Sequence, residues 1–397
     1  MIQNWRESRS HPSLASRVAS RHPLRAKRAG DLLLMVTTIS ALATSACKDK
    51  SPRPSGDIQP AQRIQLDTNK SVELIGLRWW SPEMIQDSLA KYAPGKGLDA
   101  PDVASILRNR IHFADAAVHS SEQVFDENES TQYTVVLREP ADSARVHFRP
   151  QHLDSAATYA PWSAITRRLG GPASHLFEVV SAYQLEGPQH TVVDSSDRAH
   201  PHTLFNQVGY PFDSSADSVA AWPILTAIAA LKRDADFAAA RQIVATSNSE
   251  IDRMLAALVL ANFASRDDAW RALLDESIGF DQRADAATAW QALAAMSERK
   301  PRTVDWTPVA REIHDVLDGT AVAALPAIAR TLVRTGAGPK DAAAFLAGGG
   351  EILTAYLESA NTDLSEPAHQ LLVALRGSDL GTEVGPWRAW IRTLSRS

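Results

Sequence analysis

A small α/β module of order β-α-α-β-β followed by an all-α stack of helix pairs is the multi-domain architecture the sequence predicts. Three observations predict it. Apolar residues alternate or cluster with strand character around 72–80, 117–125 and 133–138, and two stretches at helical spacing lie between the first and second of these. Alanine supplies 40 of the 182 residues of 216–397, a density that favours helix and lets helices approach closely. A chain of 397 residues is long enough for two to three domains at roughly 150 residues each.

Composition narrows the function classes. Apolar residues make up 44% and charged residues 22%, an ordinary globular balance that rules out wholesale disorder. A net charge of −5 argues against a nucleic-acid binder that relies on a global positive field. A single cysteine excludes a disulfide framework and a multi-cysteine zinc site.

Residues 1–46 hold seven basic residues (Arg6, Arg9, Arg17, Arg21, Arg25, Lys27 and Arg28) and two acidic ones (Glu7 and Asp31), and residues 32–46 are uncharged. That stretch suits a signal-peptide core and is short for a membrane-spanning helix, which needs about 20 apolar residues. It ends in Thr44-Ser45-Ala46-Cys47 and turns polar at once with Lys48, Asp49 and Lys50. This run resembles a bacterial lipoprotein signal. The resemblance implies that Cys47 is lipidated and becomes the mature N-terminus, on a protein of the cell envelope that faces the periplasm. Residues 47–397 carry 34 basic and 44 acidic residues, a net charge of −10, which suits a solvated envelope protein whose membrane contact is the lipid anchor. Residues 47–69, with Pro52, Pro54, Gly56 and Pro60, read as a flexible tether.

The module at 70–150 opens on a strand with Val72, Leu74, Ile75 and Leu77. Ser81-Pro82-Glu83 then reads as a helix start: an N-cap hydroxyl, proline at the first position and an early acid. Met84, Ile85, Leu89 and Tyr92 follow at helical spacing, and Pro94, Gly95 and Gly97 end the run. A second helix starts at Asp99 or Asp102, with Val103, Ile106, Leu107 and Ile111 on one face. A weaker strand at 117–125, a polar turn at 126–130 and a strand with Tyr133, Val135 and Leu137 on one side complete the module.

This order is similar to a POTRA domain, the periplasmic module that precedes outer-membrane assembly and secretion barrels. The residues that carry the likeness are the opening strand through Gly76, the helix from Ser81, the Gly97-Leu98-Asp99 step, and Val135-Val136-Leu137-Arg138-Glu139-Pro140. The resemblance implies binding by strand addition, in which an exposed edge offers unpaired backbone groups to an incoming peptide. The expected edge is 117–125, with Val118 and Val124 as partner-binding residues and Trp79 and Trp80 as rim or ligand-facing aromatics. The alternative is a structural spacer that binds nothing.

Residues 151–215 read as a helical and loop connector, with a helix at 162–169. The stretch 187–209 contains His190, Asp194, Asp197, His200 and His202. Such a group can ligate a divalent metal, but the spacing is loose, Pro201 separates two of the histidines, and no helical His-Glu-x-x-His frame accompanies them. We read it as a polar surface loop, with a metal-dependent enzyme using residues 190–202 as the alternative.

From 216 onward, amphipathic segments alternate with short polar breaks. Helices are expected at 219–231, 236–245, 250–263, 268–278, 282–296, 308–317, 321–334, 339–346, 352–358, 367–375 and 385–394. A loose repeat relates Arg253–Leu258 to the run from Ala284, 31 residues on, and to another from Ala321. Spacings of about 30–40 residues suit helix-pair repeats, and the region resembles HEAT-type repeats. That likeness implies a solenoid whose long surface binds protein. Trp222, Trp270, Trp290 and Trp306 read as core, and Trp387 and Trp390 as residues that close the end of the stack.

No catalytic constellation is evident. There is no Gly-x-Ser-x-Gly elbow and no Gly-x-Gly-x-x-Gly loop. Gly348-Gly349-Gly350 has no preceding strand and no following Lys-Ser/Thr, so it reads as a loop and not a nucleotide cradle. Spacing alone selects none of His112, His119, His147 or His152 as a base, and Asp267-Asp268 reads as a helix start. Taken together, the lipoprotein, POTRA and HEAT resemblances imply a membrane-tethered scaffold or adaptor that binds protein partners in envelope assembly or secretion, with a metal-dependent enzyme or a structural spacer as the alternatives; no cofactor, metal, catalytic residue or nucleic acid is expected.

Overall fold

The computed structural model describes residues 56–125, 128–147, 158–169, 223–277 and 284–395. The first part is a four-stranded mixed sheet of order β1-β2-β4-β3. Strand β1 (Gln62–Asp67) and β2 (Lys70–Ile75) form an antiparallel hairpin. Helix α1 (Pro82–Tyr92) and α2 (Val103–Asn109) follow, then β3 (Asp115–Phe125) and β4 (Asn128–Arg138). β4 inserts beside β2 in parallel, pairing Val72 with Tyr133 and Leu74 with Val135, and pairs antiparallel with β3 on its other side. The helix start at Ser81 is as expected: its hydroxyl accepts the Met84 N–H, and Pro82 opens the helix.

Three local readings change. The opening strand, read over 72–80, ends at Ile75, because Gly76 takes a left-handed φ of 97° and turns the chain. Residues 62–67, read as part of the tether, form β1. Ile64 and Leu66 alternate with polar neighbours along it, and Asp67 accepts the Asn69 N–H at 2.8 Å to close the turn into β2. Strand β4 begins at Asn128, inside the segment read as a turn.

Side chains alternate across a sheet with period two, and here both faces are used. One face sends Val72, Leu74, Ala116, Val135 and Leu137 into a core with Ile85, Leu89, Val103 and Leu107 of α1 and α2. The opposite face carries Ser71, Glu73, Ser121, Gln132, Thr134 and Arg138, all buried, with Ile75 and Val136 among them. It would read as a solvent face, but the C-terminal helices cover it. Ile75 and Val136 belong to the same apolar core as those helices.

After a 3-10 turn at Pro140–Arg145, α3 (Ser163–Leu169) and a helical segment at 223–229, the remaining described chain is helical. It comprises α4 (Asp234–Thr246), α5 (Glu250–Leu260), α6 (Asp267–Ser277), α7 (Ala284–Arg299), α8 (Ala310–Leu317), α9 (Leu325–Arg334), α10 (Ala342–Leu346), α11 (Glu351–Ala355), α12 (Thr362–Arg376) and α13 (Val384–Leu394). Alternate helices line up in two rows: α5, α7, α9 and α12 pack in succession, as do α4, α6, α8 and α10. Trp270, Trp306 and Trp387 are buried and Trp290 is half-buried. Helix α12 begins five residues before the expected start at Pro367. Asn361 caps it through the Asp363 N–H, and Pro367 sits inside the helix, where the missing N–H costs one helical hydrogen bond.

Charge joins the sheet to the helices. Arg138 at the end of β4 is 1% exposed and pairs with Asp318 at 2.6 Å. Arg78 pairs with Asp142 at 3.0 Å and also with Glu351, which Arg145 meets at 2.7 Å. Burial opposes the ionised Glu351, yet Arg78 and Arg145 outweigh it and hold the carboxyl below the ordinary glutamate range. At the other end of the face, Glu73 accepts the Ser359 hydroxyl and, at 2.9 Å, the Ala360 N–H, while Asn361 donates to Ser121 at 3.3 Å.

Removing one member of a buried pair strands its partner's charge. Arg138→Met should therefore cost about 3–5 kcal/mol, read as a lower urea midpoint. A shift under about 1 kcal/mol would mean that the pair behaves as a solvated one.

Candidate functional site

The expected binding strand does lie at an edge. β3 is an outer strand of the sheet, and its pairing with β4 continues past the last β2–β4 pair, Lys70 with Thr131, through Glu122–Thr131 to Phe125–Asn128. The carbonyl of Ala116 accepts Arg108 Nη1 at 2.7 Å from α2, which lies beyond the strand's outer side. Backbone direction alternates along an antiparallel strand, so the backbone groups of Ser120, Glu122 and Val124 share that outer side. Arg108 thus blunts the strand at its start, a common way of managing an edge. Ser120 is exposed.

The residues singled out for partner binding do not form one patch. Val118 is half-buried and packs into the core under α1 and α2, so its side chain turns inward. Val124 pairs with Glu129 at the far end of β3. Trp79 and Trp80 lie beyond the opposite end, after β2, because Asp115 at the start of β3 is paired with Arg138 there. About nine residues of strand, roughly 30 Å, separate the two groups. Cys47 and the histidines of 190–202 lie outside the described residues. Among the described residues no cluster of three or more His, Cys, Asp or Glu could hold a metal ion, and no helix is long and apolar enough to cross a membrane.

The two tryptophans differ. Trp80 is half-buried and packs on Phe113 with ring centroids 4.8 Å apart. Trp79 is 58% exposed. Both are held by their backbones: Glu139 Oε1 accepts the N–H groups of Arg78, Trp79 and Trp80 at 2.6, 2.8 and 2.9 Å. Three successive amides converging on one carboxylate make a backbone nest. The turn that forms it starts at Gly76, with φ of 97° and no room for a Cβ, which would stand 2.1 Å from the Leu137 carbonyl oxygen. The signal for this arrangement was present in the sequence as Gly76 and Glu139, but nothing local links residues so far apart.

His119 of β3 faces the helices. Burial pushes its imidazole below the ordinary value of 6.5, and Asp363 only partly opposes this. His112 adopts a left-handed φ of 67°, and His147 meets Asp315 at 3.0 Å. Asp267 and Asp268 stand at the start of α6 and pair with Arg302 and Arg241.

Comparison with protein-family models, with curated proteins and with solved structures gives no match.

The depressed His119 predicts an acid-side loss of stability. Above about pH 6.5 the imidazole is neutral in both folded and unfolded chain. As pH falls through that value the unfolded chain takes up a proton that the folded chain refuses, so stability falls. Between about pH 7.5 and 5.5, thermal unfolding should drop further for the wild type than for His119→Gln. Parallel curves for the two proteins would assign the acid sensitivity to other groups.

Proposed function

We propose that this chain is a protein-binding adaptor of the bacterial cell envelope, anchored through a lipid on Cys47 and facing the periplasm. Its sheet module is read as POTRA-like and its helical part as HEAT-type helix pairs. The observation that carries the binding role is β3: an edge strand whose outer backbone groups continue beyond the part of the sheet that β2 supports. The strand–helix–helix–strand–strand order from β2 to β4 supports the module's likeness, and the two rows of helices support the helix-pair reading. An extended peptide is the natural occupant of such an edge: main-chain hydrogen bonds give affinity and the side chains give selectivity. On this reading the helical part is more than a spacer, because it buries the sheet's other face and leaves the edge as the accessible side of the strand.

Proline tests the backbone mechanism directly. It is tolerated on an edge strand where its N–H would point outward, so Ser120→Pro should fold normally yet block an added strand. A photo-crosslinker at position 122 should trap a defined partner in the native cell, and Ser120→Pro should abolish that adduct. Equal labelling in both backgrounds would exclude strand addition, and the absence of any adduct would favour the spacer.

The anchor is tested by intact mass. The mature wild type should begin at a lipid-modified Cys47, and Cys47→Ala should retain the preceding segment. An unmodified mature N-terminus would remove the envelope assignment.

A further inference from the structure

One cleft outside the edge strand has a distinct chemistry. It holds about 180 Å³ and lies between α13, the Gly348–Gly350 run and Arg145. Helix α13 presents Arg388, Ile391, Arg392 and Ser395 to it, the i, i+3, i+4 and i+7 positions of one helical face. Arg145 closes the far side and donates to the Gly348 carbonyl at 2.7 Å. The walls thus carry three guanidiniums and one carboxylate, Glu351, and that carboxylate is already bonded by Arg78 and Arg145.

The three arginines are not equally committed. Arg392 is paired with Asp57 at 2.5 Å. Arg388 forms no ion pair among the described residues. Its Nη1 donates to the Ile58 carbonyl at 2.9 Å, its Nε reaches Thr354 Oγ1 at 3.4 Å, and its Nη2 is buried with no hydrogen-bond partner. The glycine run itself is required by packing: Gly348 and Gly350 have φ of 78° and 75°, and a Cβ on Gly349 would stand 2.4 Å from His314 Cε1. It is a loop, as its sequence context indicates, and the anion preference comes from the arginines around it.

We propose that this cleft binds a phosphate group. Guanidiniums offer rigid arrays of N–H donors matched to oxyanions, and three of them arranged around one space suit a tetrahedral anion better than a planar carboxylate. The Ser395 hydroxyl, which accepts the Gly348 N–H at 2.9 Å, keeps its proton as a neutral donor, and Ile391 supplies an apolar wall for the group that carries the phosphate. The phosphate could come from a soluble phosphomonoester or a phospholipid headgroup, and the same chemistry serves both.

The test uses the full mature chain. Inorganic phosphate and glycerol 3-phosphate are titrated by calorimetry at constant ionic strength set with chloride, and phosphatidylglycerol vesicles are tested by co-sedimentation. Saturable 1:1 binding is expected from at least one of these probes. Arg388→Gln should weaken it at least about tenfold, Arg388→Lys should weaken it less because it keeps the charge, and Arg241→Gln, on the distant α4, should leave it unchanged. Circular dichroism establishes that each variant is folded. Binding of the soluble probes alone identifies a small phosphoester site, and binding of vesicles alone identifies a headgroup site. No saturable binding by the wild type, or equal binding by Arg388→Gln, would overturn the proposal.

Discussion

The structure depends on a sheet whose central strands, β2 and β4, have no solvent face. One side of β2, β3 and β4 is apolar and packs on α1 and α2; the other is polar, buried and joined to the C-terminal helices by ion pairs. Desolvating those charges is expensive unless each finds its partner in good geometry. The sheet and helices therefore fit in one relative position. A shift by one strand residue would carry Arg138 away from Asp318 and Glu73 away from Ser359, and would turn the apolar side toward the charges. Apolar contact through Ile75 and Val136 supplies attraction across this junction, and the ion pairs supply its register.

Much of the local structure was legible because it is written in short-range chemistry. Ser81 and Pro82 start α1 as their types require, and the two helices of the module bury the residues their spacing selects. Most expected C-terminal helices among the described residues agree with the structure to within a few residues. Strand β1 was harder to read, because Gln62–Asp67 has two apolar side chains and its pairing with β2 supplies the rest of its stability. The start of α12 was misread for a different reason: proline usually marks a helix's first turn, but here Asn361 provides the cap and Pro367 is accommodated within the helix.

The candidate site was legible only in part. The expectation of an edge at 117–125 comes from the module's resemblance and not from periodicity, and it does not reveal that Val118 turns into the core or that Val124 and Trp79 stand at opposite ends of the sheet. The Glu139 nest, the Arg78–Asp142–Glu351 group and the arginine-lined cleft all join residues distant in sequence. No periodicity encodes such contacts. Polar residues on the inner face of β2 and β4 carry the same signature as residues facing water, and only the helices placed over them distinguish the two cases.

That polarity bears on the order in which the chain is made. The sheet's residues are complete at Arg138, but Arg138 waits 180 residues for Asp318, Arg78 waits 273 for Glu351, and Glu73 waits 286 for Ser359. N-terminal units fold first during synthesis, and an apolar surface exposed during that delay would invite association with other chains. A face of Arg, Glu, Gln and Thr stays hydrated instead. The side of the sheet that costs most to bury is thus the side that can best remain in water until the last helices emerge to cover it.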